Sequence, residues 1–148
     1  MPEQAALVTK IKAERGGRLL NLYATLLNSP PVCEGWLNLF TGIRQKGTIS
    51  DRHRELATMR VAVINGAQYE YLAHVPFALK AGINQKQLDD LPFWRDSKAY
   101  EPNDRAVLEY TDTMTKNIQV PNDVFEPLRK FLDNRQILEL TTTIAGYN

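Results

Sequence analysis

The chain has 148 residues, of which 43% are apolar and 24% charged, enough to build a core without disulfides or a structural metal. Its net charge of +1 provides no electrostatic footprint for nucleic acid or an anionic membrane. The single cysteine, Cys33, excludes an internal disulfide, and no run approaches the roughly 18 apolar residues of a membrane span.

The N-terminal stretch "MPEQAALVTKIKAERGG" mixes charge throughout and lacks the apolar centre of a signal peptide, so a cytoplasmic location is expected. A first helix is predicted from about Glu3 to Tyr23, with Gly16-Gly17 as a point of interruption. "NSPP", Asn28 to Pro31, breaks the chain. In "VCEGWLNLFTGIRQKG", Val32, Trp36, Leu39, Phe40 and Ile43 form one helical stripe, Leu37 shows an apolar group on a second side, and Gly47 is a plausible stop. Cys33 reads as a small, partly buried apolar residue of this helix.

Ser50 has the character of an N-cap, and Asp51 suits the first turn of the helix that follows. That helix carries Leu56, Met59, Ala62 and Val63 on one face, and Asn65-Gly66 ends it. A further helix runs from Ala67 to Ala81, with Gly82 as its left-handed stop. Asn84 to Leu91 is a short helix, and Pro92 to Tyr100 a loop expected to expose Phe93 and Trp94. Pro102 and Asp104 open the next helix. Asp123 with Glu126, and Asp133 with Gln136, have capping-box spacing for the last two. Strand-like alternation is nearly absent. The expected fold is all-α, a single-domain bundle of six to eight helices over residues 1–148.

The Ala67–Ala81 helix holds the chemistry. At about 100° per residue, Glu70 and His74 are neighbours one turn apart, and both fall within an apolar arc that covers more than half the helix. The pattern therefore predicts a mostly buried helix with an acid and an imidazole on its buried side. Pro76 has no N–H for the carbonyl of Leu72, which predicts a kink beside the pair. Helices folded back on each other at Asn65-Gly66 would bring Glu55 to His74. Carboxylates and an imidazole in a dry pocket suit general acid–base chemistry. They lack a zinc-site spacing, and no metal or cofactor is expected. By the same arithmetic His53 points about 160° away from Glu55 and should face solvent.

"RELATMRVAVINGAQYEYLAHVPFALKAGI", Arg54 to Ile83, resembles the carboxymuconolactone decarboxylase and alkylhydroperoxidase D-like superfamily. Glu55 matches the family's glutamate, His74 its histidine, and Ala78 and Gly82 its trailing small residues. In the peroxidase branch, cysteines stand seven and four positions before the histidine; here those positions are Ala67 and Glu70. A dithiol cycle needs an attacking and a resolving thiol, and this motif has neither. The resemblance is thus to the cysteine-free branch. It implies a cofactor-independent decarboxylase acting on a small carboxylated lactone or related oxo-acid. His74 would be general acid/base, with Glu70 as its coupled or orienting acid and Glu55 tuning the site. Tyr69 would donate a hydrogen bond if a bend turned it inward, and Arg60 would anchor a substrate carboxylate. The resemblance also implies a homo-oligomer, as do the wide apolar arcs. The rival expectations are an alkylhydroperoxidase-like antioxidant activity and a non-catalytic helical oligomer.

Overall fold

The computed structural model describes residues 2–148, with side chains from Gln4 onward. Its described residues form nine α-helices and two 3-10 helices, with no strand among them. The chain divides into two compact units, one ending at Gly47 and the other beginning at Thr48.

The first unit contains α1 (Pro2–Glu14), α2 (Asn21–Leu26) and α3 (Pro30–Gln45). Gly16 and Gly17 both take positive φ, 64° and 81°, so the predicted long first helix is split there into α1 and α2. Leu7 and Ile11 of α1 meet Tyr23 of α2 and Cys33 and Leu37 of α3 in one core. The predicted stripe of α3 is therefore rotated. Cys33, Leu37, Phe40 and Ile43 are buried, whereas Val32 and Leu39 are 55% and 44% exposed. The helix carries enough apolar residues for two stripes, and the position of α1 and α2 decides between them. Beneath this core Arg15 donates to the Tyr23 hydroxyl at 3.0 Å and to Thr41 Oγ1 at 3.1 Å.

The second unit is built around α4 (Asp51–Ile64), which packs against α5 (Gln68–Lys80), α7 (Pro102–Asn117) and α9 (Asn134–Tyr147). Ser50 caps α4 as expected, its hydroxyl accepting the His53 N–H at 3.1 Å. Every residue from Glu55 to Ala62 is buried, the signature of a helix surrounded by others. Gly66, at φ 63°, ends α4, and Gly82, at φ 84°, ends α5.

A short α6 (Gln85–Asp90), held by an Asn84/Gln87 capping box, leads into a 3-10 turn at Leu91–Phe93. Of the two aromatics expected on the following loop, Phe93 is 74% exposed but Trp94 is buried. The guanidinium groups of Arg95 and Arg105 lie over its ring, 4.5 and 5.3 Å from the ring centre. Pro102 opens α7, where Glu101 and Asp104 form a capping box. α8 (Asn122–Phe125) is a single turn capped by Pro121 rather than by Asp123, and Pro127 falls in the 3-10 turn Glu126–Lys130 after it. The Asp133/Gln136 box opens α9 as its spacing predicted. The split of the first helix into α1 and α2 accounts for nine α-helices among the described residues where six to eight were expected.

Candidate acid–base site

The Asn65–Ala67 turn folds α5 back along α4, and this brings Glu55 of α4 against His74 of α5. His74 Nδ1 lies 2.8 Å from Glu55 Oε2, and both side chains are buried, 5% and 3% exposed. One turn earlier on α5, Glu70 places a carboxylate oxygen 3.9 Å from His74 Nε2, within reach of one bridging water. Glu70 is 38% exposed, so it forms the solvent side of the cluster. The imidazole thus stands between two carboxylates, one dry and directly bonded, the other wet and more distant. Two aromatic rings complete its surroundings. Tyr147 of α9 meets it edge-on with ring centres 5.1 Å apart, and Phe77 lies tilted at 5.8 Å.

The other oxygen of Glu55 is also engaged. Arg54 approaches Oε1 with Nη2 at 3.3 Å and Nε at 3.4 Å, while its Nη1 donates to Asp51 at 2.8 Å. Helical spacing does not point to Arg54, because consecutive residues diverge by about 100° and only a long side chain bends back. Tyr147 was missed for a different reason. It comes from the far end of the second unit, and no local signal pairs it with His74.

The remaining candidates lie elsewhere. Tyr69 is 65% exposed, so its ring is not turned into the cluster. Arg60 is buried and held by Asp112, with Nη2 to Oδ2 at 2.9 Å, and it also donates to the carbonyl of Leu91 at 3.0 Å. Its charge is already neutralised within the fold, so it is not the anchor for a substrate carboxylate. His53, expected in solvent, is only 15% exposed, with its ring edge-on to Phe131 and its Nε2 3.9 Å from Asp104. Burial lowers its pKa below the ordinary imidazole value; Asp104 opposes this shift and Arg52 adds to it. The apolar arc of α5 is also less buried than predicted. Only His74 and Ala78 are buried, while Leu72, Phe77 and Leu79 are 61%, 47% and 44% exposed.

Cys33 is fully buried in the first unit, and burial raises its thiol pKa. Among the described residues, no three His, Cys, Asp or Glu side chains are arranged to hold a metal ion. None of the described helices is long and apolar enough to cross a membrane. Two open clefts, one lined by Asp89, Asp90 and Phe93 and the other by Leu7, Pro30 and Pro31, border none of Glu55, Glu70 and His74.

The described residues are all helical or in connecting turns, and their likeness to a solved structure with a suggested AhpD role places the fold in the alkylhydroperoxidase D-like class. Residues 30–113, more than half of the chain, match the carboxymuconolactone decarboxylase family model, and the chain belongs to that family. An uncharacterized Bacillus subtilis protein, YdfG, is 26% identical over 106 residues, covering 70% of this chain and 72% of its own length. The crystal structure of ATU0492 from Agrobacterium tumefaciens superposes with a TM-score of 0.75 at 25% identity, over 86% of each chain. That protein is of unknown function, with a suggested AhpD role in antioxidant defence. A peroxidase-related protein from Silicibacter sp. TM1040 gives a TM-score of 0.80 at 15% identity, over 99% of this chain and 78% of its own. The debrominase Bmp8, as a cysteine-to-alanine variant bound to 2,3,4-tribromopyrrole, gives 0.77 at 18% identity with the same coverage. At these last two identities the likeness is one of fold.

Proposed function

We infer that the protein is a cofactor-independent enzyme in which His74 carries a proton to and from a small-molecule substrate. The observation behind this reading is the imidazole held at 2.8 Å by a buried carboxylate, with a second, solvent-reached carboxylate 3.9 Å from its other nitrogen. The first fixes the ring; the second connects it to water. General acid–base catalysis by a ring so placed contributes typically about 10²–10⁴-fold.

The reaction we propose is decarboxylation of a small carboxylated lactone or related oxo-acid. The carbon–carboxylate bond breaks, and its electron pair remains on carbon as an enolate conjugated with the neighbouring carbonyl. Carbon dioxide leaves, and His74 delivers a proton to that carbon. Glu70 returns a proton from solvent to the ring. Charge on the enolate has to be met by groups other than Arg60, which is committed to Asp112. Thiol-dependent peroxide reduction has no support in the motif, because Ala67 and Glu70 stand at the two cysteine positions.

The test is carbon dioxide release from carboxymuconolactone. Turnover by the wild type, falling at least roughly 10²-fold in His74→Ala and in Glu55→Gln, is the expected result. No release above background removes the decarboxylase reading. Turnover that is unchanged in His74→Ala removes the acid–base reading itself.

A further inference from the structure

Glu55 is bonded on both oxygens, and the two bonds differ in kind. His74 Nδ1 meets Oε2 at 2.8 Å, while the Arg54 guanidinium covers Oε1 at 3.3 and 3.4 Å. A carboxylate facing a guanidinium accepts hydrogen bonds and has none to donate. The short contact to His74 must then be Nδ1–H donating to Glu55. A neutral imidazole carries one N–H, so Nε2 is left with a lone pair. This nitrogen points at Glu70, another acceptor, across 3.9 Å. Two acceptors cannot bond each other directly, so whatever sits between them has to bring the proton.

We propose that Arg54 is the positioning residue of the site. It holds Glu55 as the acceptor of Nδ1–H, so that Nδ1 keeps its proton and Nε2 is the nitrogen that exchanges one. Arg54 does this through Glu55 and does not itself touch the reacting atoms. Its side chain is only 12% exposed, and its remaining arm is anchored on Asp51 at 2.8 Å, which sets the guanidinium over the glutamate. The proposal rests on His74 as the reacting group, and it also restricts the substrate. The reacting partner reaches Nε2 as a proton donor, or meets an imidazolium already loaded through Glu70. A carboxylated substrate, being an anion, has to meet the imidazolium, because Glu70 and the Nε2 lone pair together would repel it.

The experiment is ¹⁵N-detected NMR of the His74 ring at a pH where the same spectra show it neutral. The wild type should show the Nδ1–H tautomer in large excess. Arg54→Lys, which keeps the positive charge, should retain it. Arg54→Met should move the tautomer ratio towards Nε2–H by roughly tenfold, the scale of one charge-assisted hydrogen bond. Asp51→Ala, which removes the anchor that sets the guanidinium over Glu55, should move the ratio in the same direction by a smaller factor. A wild-type ring in the Nε2–H form overturns the proposal, and so does a folded Arg54→Met with the wild-type ratio. If Arg54→Met does not fold, Arg54→Gln replaces it, judged by the same ratio, and the wild-type tautomer remains decisive. The readout needs no substrate. Failure to release carbon dioxide with the tautomer pattern intact counts against the decarboxylase reading alone. A reversed tautomer with turnover that depends on His74 counts against Arg54 alone.

Discussion

Asp112 makes a quantitative prediction about acid stability. Its carboxylate is 3% exposed and bonded to Arg60, to Arg95 at 2.6 Å and to Lys116 at 3.1 Å. Burial pushes its pKa up, but the hydrogen bonds from Arg60 and Arg95, with the nearby positive charge, outweigh this and hold it at about 2 instead of 3.8. A depression of that size corresponds to about 2.5 kcal/mol of stability at neutral pH. The contribution is complete above the unfolded value near 3.8 and is lost as pH falls through the folded value near 2. Between pH 6 and pH 3, about 1 kcal/mol of it should disappear. Asp112→Asn removes this titration and leaves Arg60 buried without its counter-charge, at a cost of about 3–5 kcal/mol near pH 7. Urea unfolding of both proteins at pH 6, 5, 4 and 3 measures both effects. The Asp112→Asn variant should be much weaker at pH 6, yet lose about 1 kcal/mol less than the wild type by pH 3. Parallel pH curves, or a deficit below about 1 kcal/mol at pH 6, would refute the view that this buried cluster carries a linked charge.

His53 should act in a higher pH window. Its folded pKa is depressed mainly by burial, so the unfolded chain binds the proton first and stability declines as pH drops below 6.5. His53→Gln should lack that component, as unfolding curves from pH 8 to 5 will show. Dithiol-dependent peroxide reduction with a lipoyl or thioredoxin-type reductant should stay at background; turnover well above it that survives Cys33→Ser would contradict the reading of the motif. We further expect a homo-oligomer that covers Leu72 and Leu79 of α5, which are 61% and 44% exposed. Light scattering at low micromolar concentration should give a mass above 16.9 kDa, and Leu72→Asp should reduce it; a wild-type monomer of 16.9 kDa would end that proposal.

The residues at the centre of the site could be read from the chain because their relationships are local. Glu70 and His74 are one turn apart, and a three-residue turn carries Glu55 to them. Capping chemistry placed the starts of α4 and α9 for the same reason. Where several apolar faces compete, local pattern has no way to choose. Leu37 rather than Leu39 is buried in α3, and His74 and Ala78 rather than Leu72 and Leu79 are buried in α5. Long-range polar partners were equally hidden. Arg60 and Asp112 are 52 positions apart, and nothing near either residue reveals that the other neutralises it. His53 faces Asp104 and Phe131 from elements that only tertiary packing brings together.

Arg60 holds the Leu91–Trp94 segment in an unusual way. It donates to the main-chain carbonyl of Leu91 at 3.0 Å and to that of Pro92 at 3.4 Å. Carbonyls are common to all residues, so the path of this segment does not depend on every side chain it carries. Phe93, 74% exposed, is free to change under selection while the backbone keeps its course. Arg60 and Asp112 have no such latitude, because the loss of either leaves a buried charge. Mutational drift in relatives of this chain should therefore be steep at position 93 and nearly arrested at positions 60 and 112, although all three belong to one connected piece of structure.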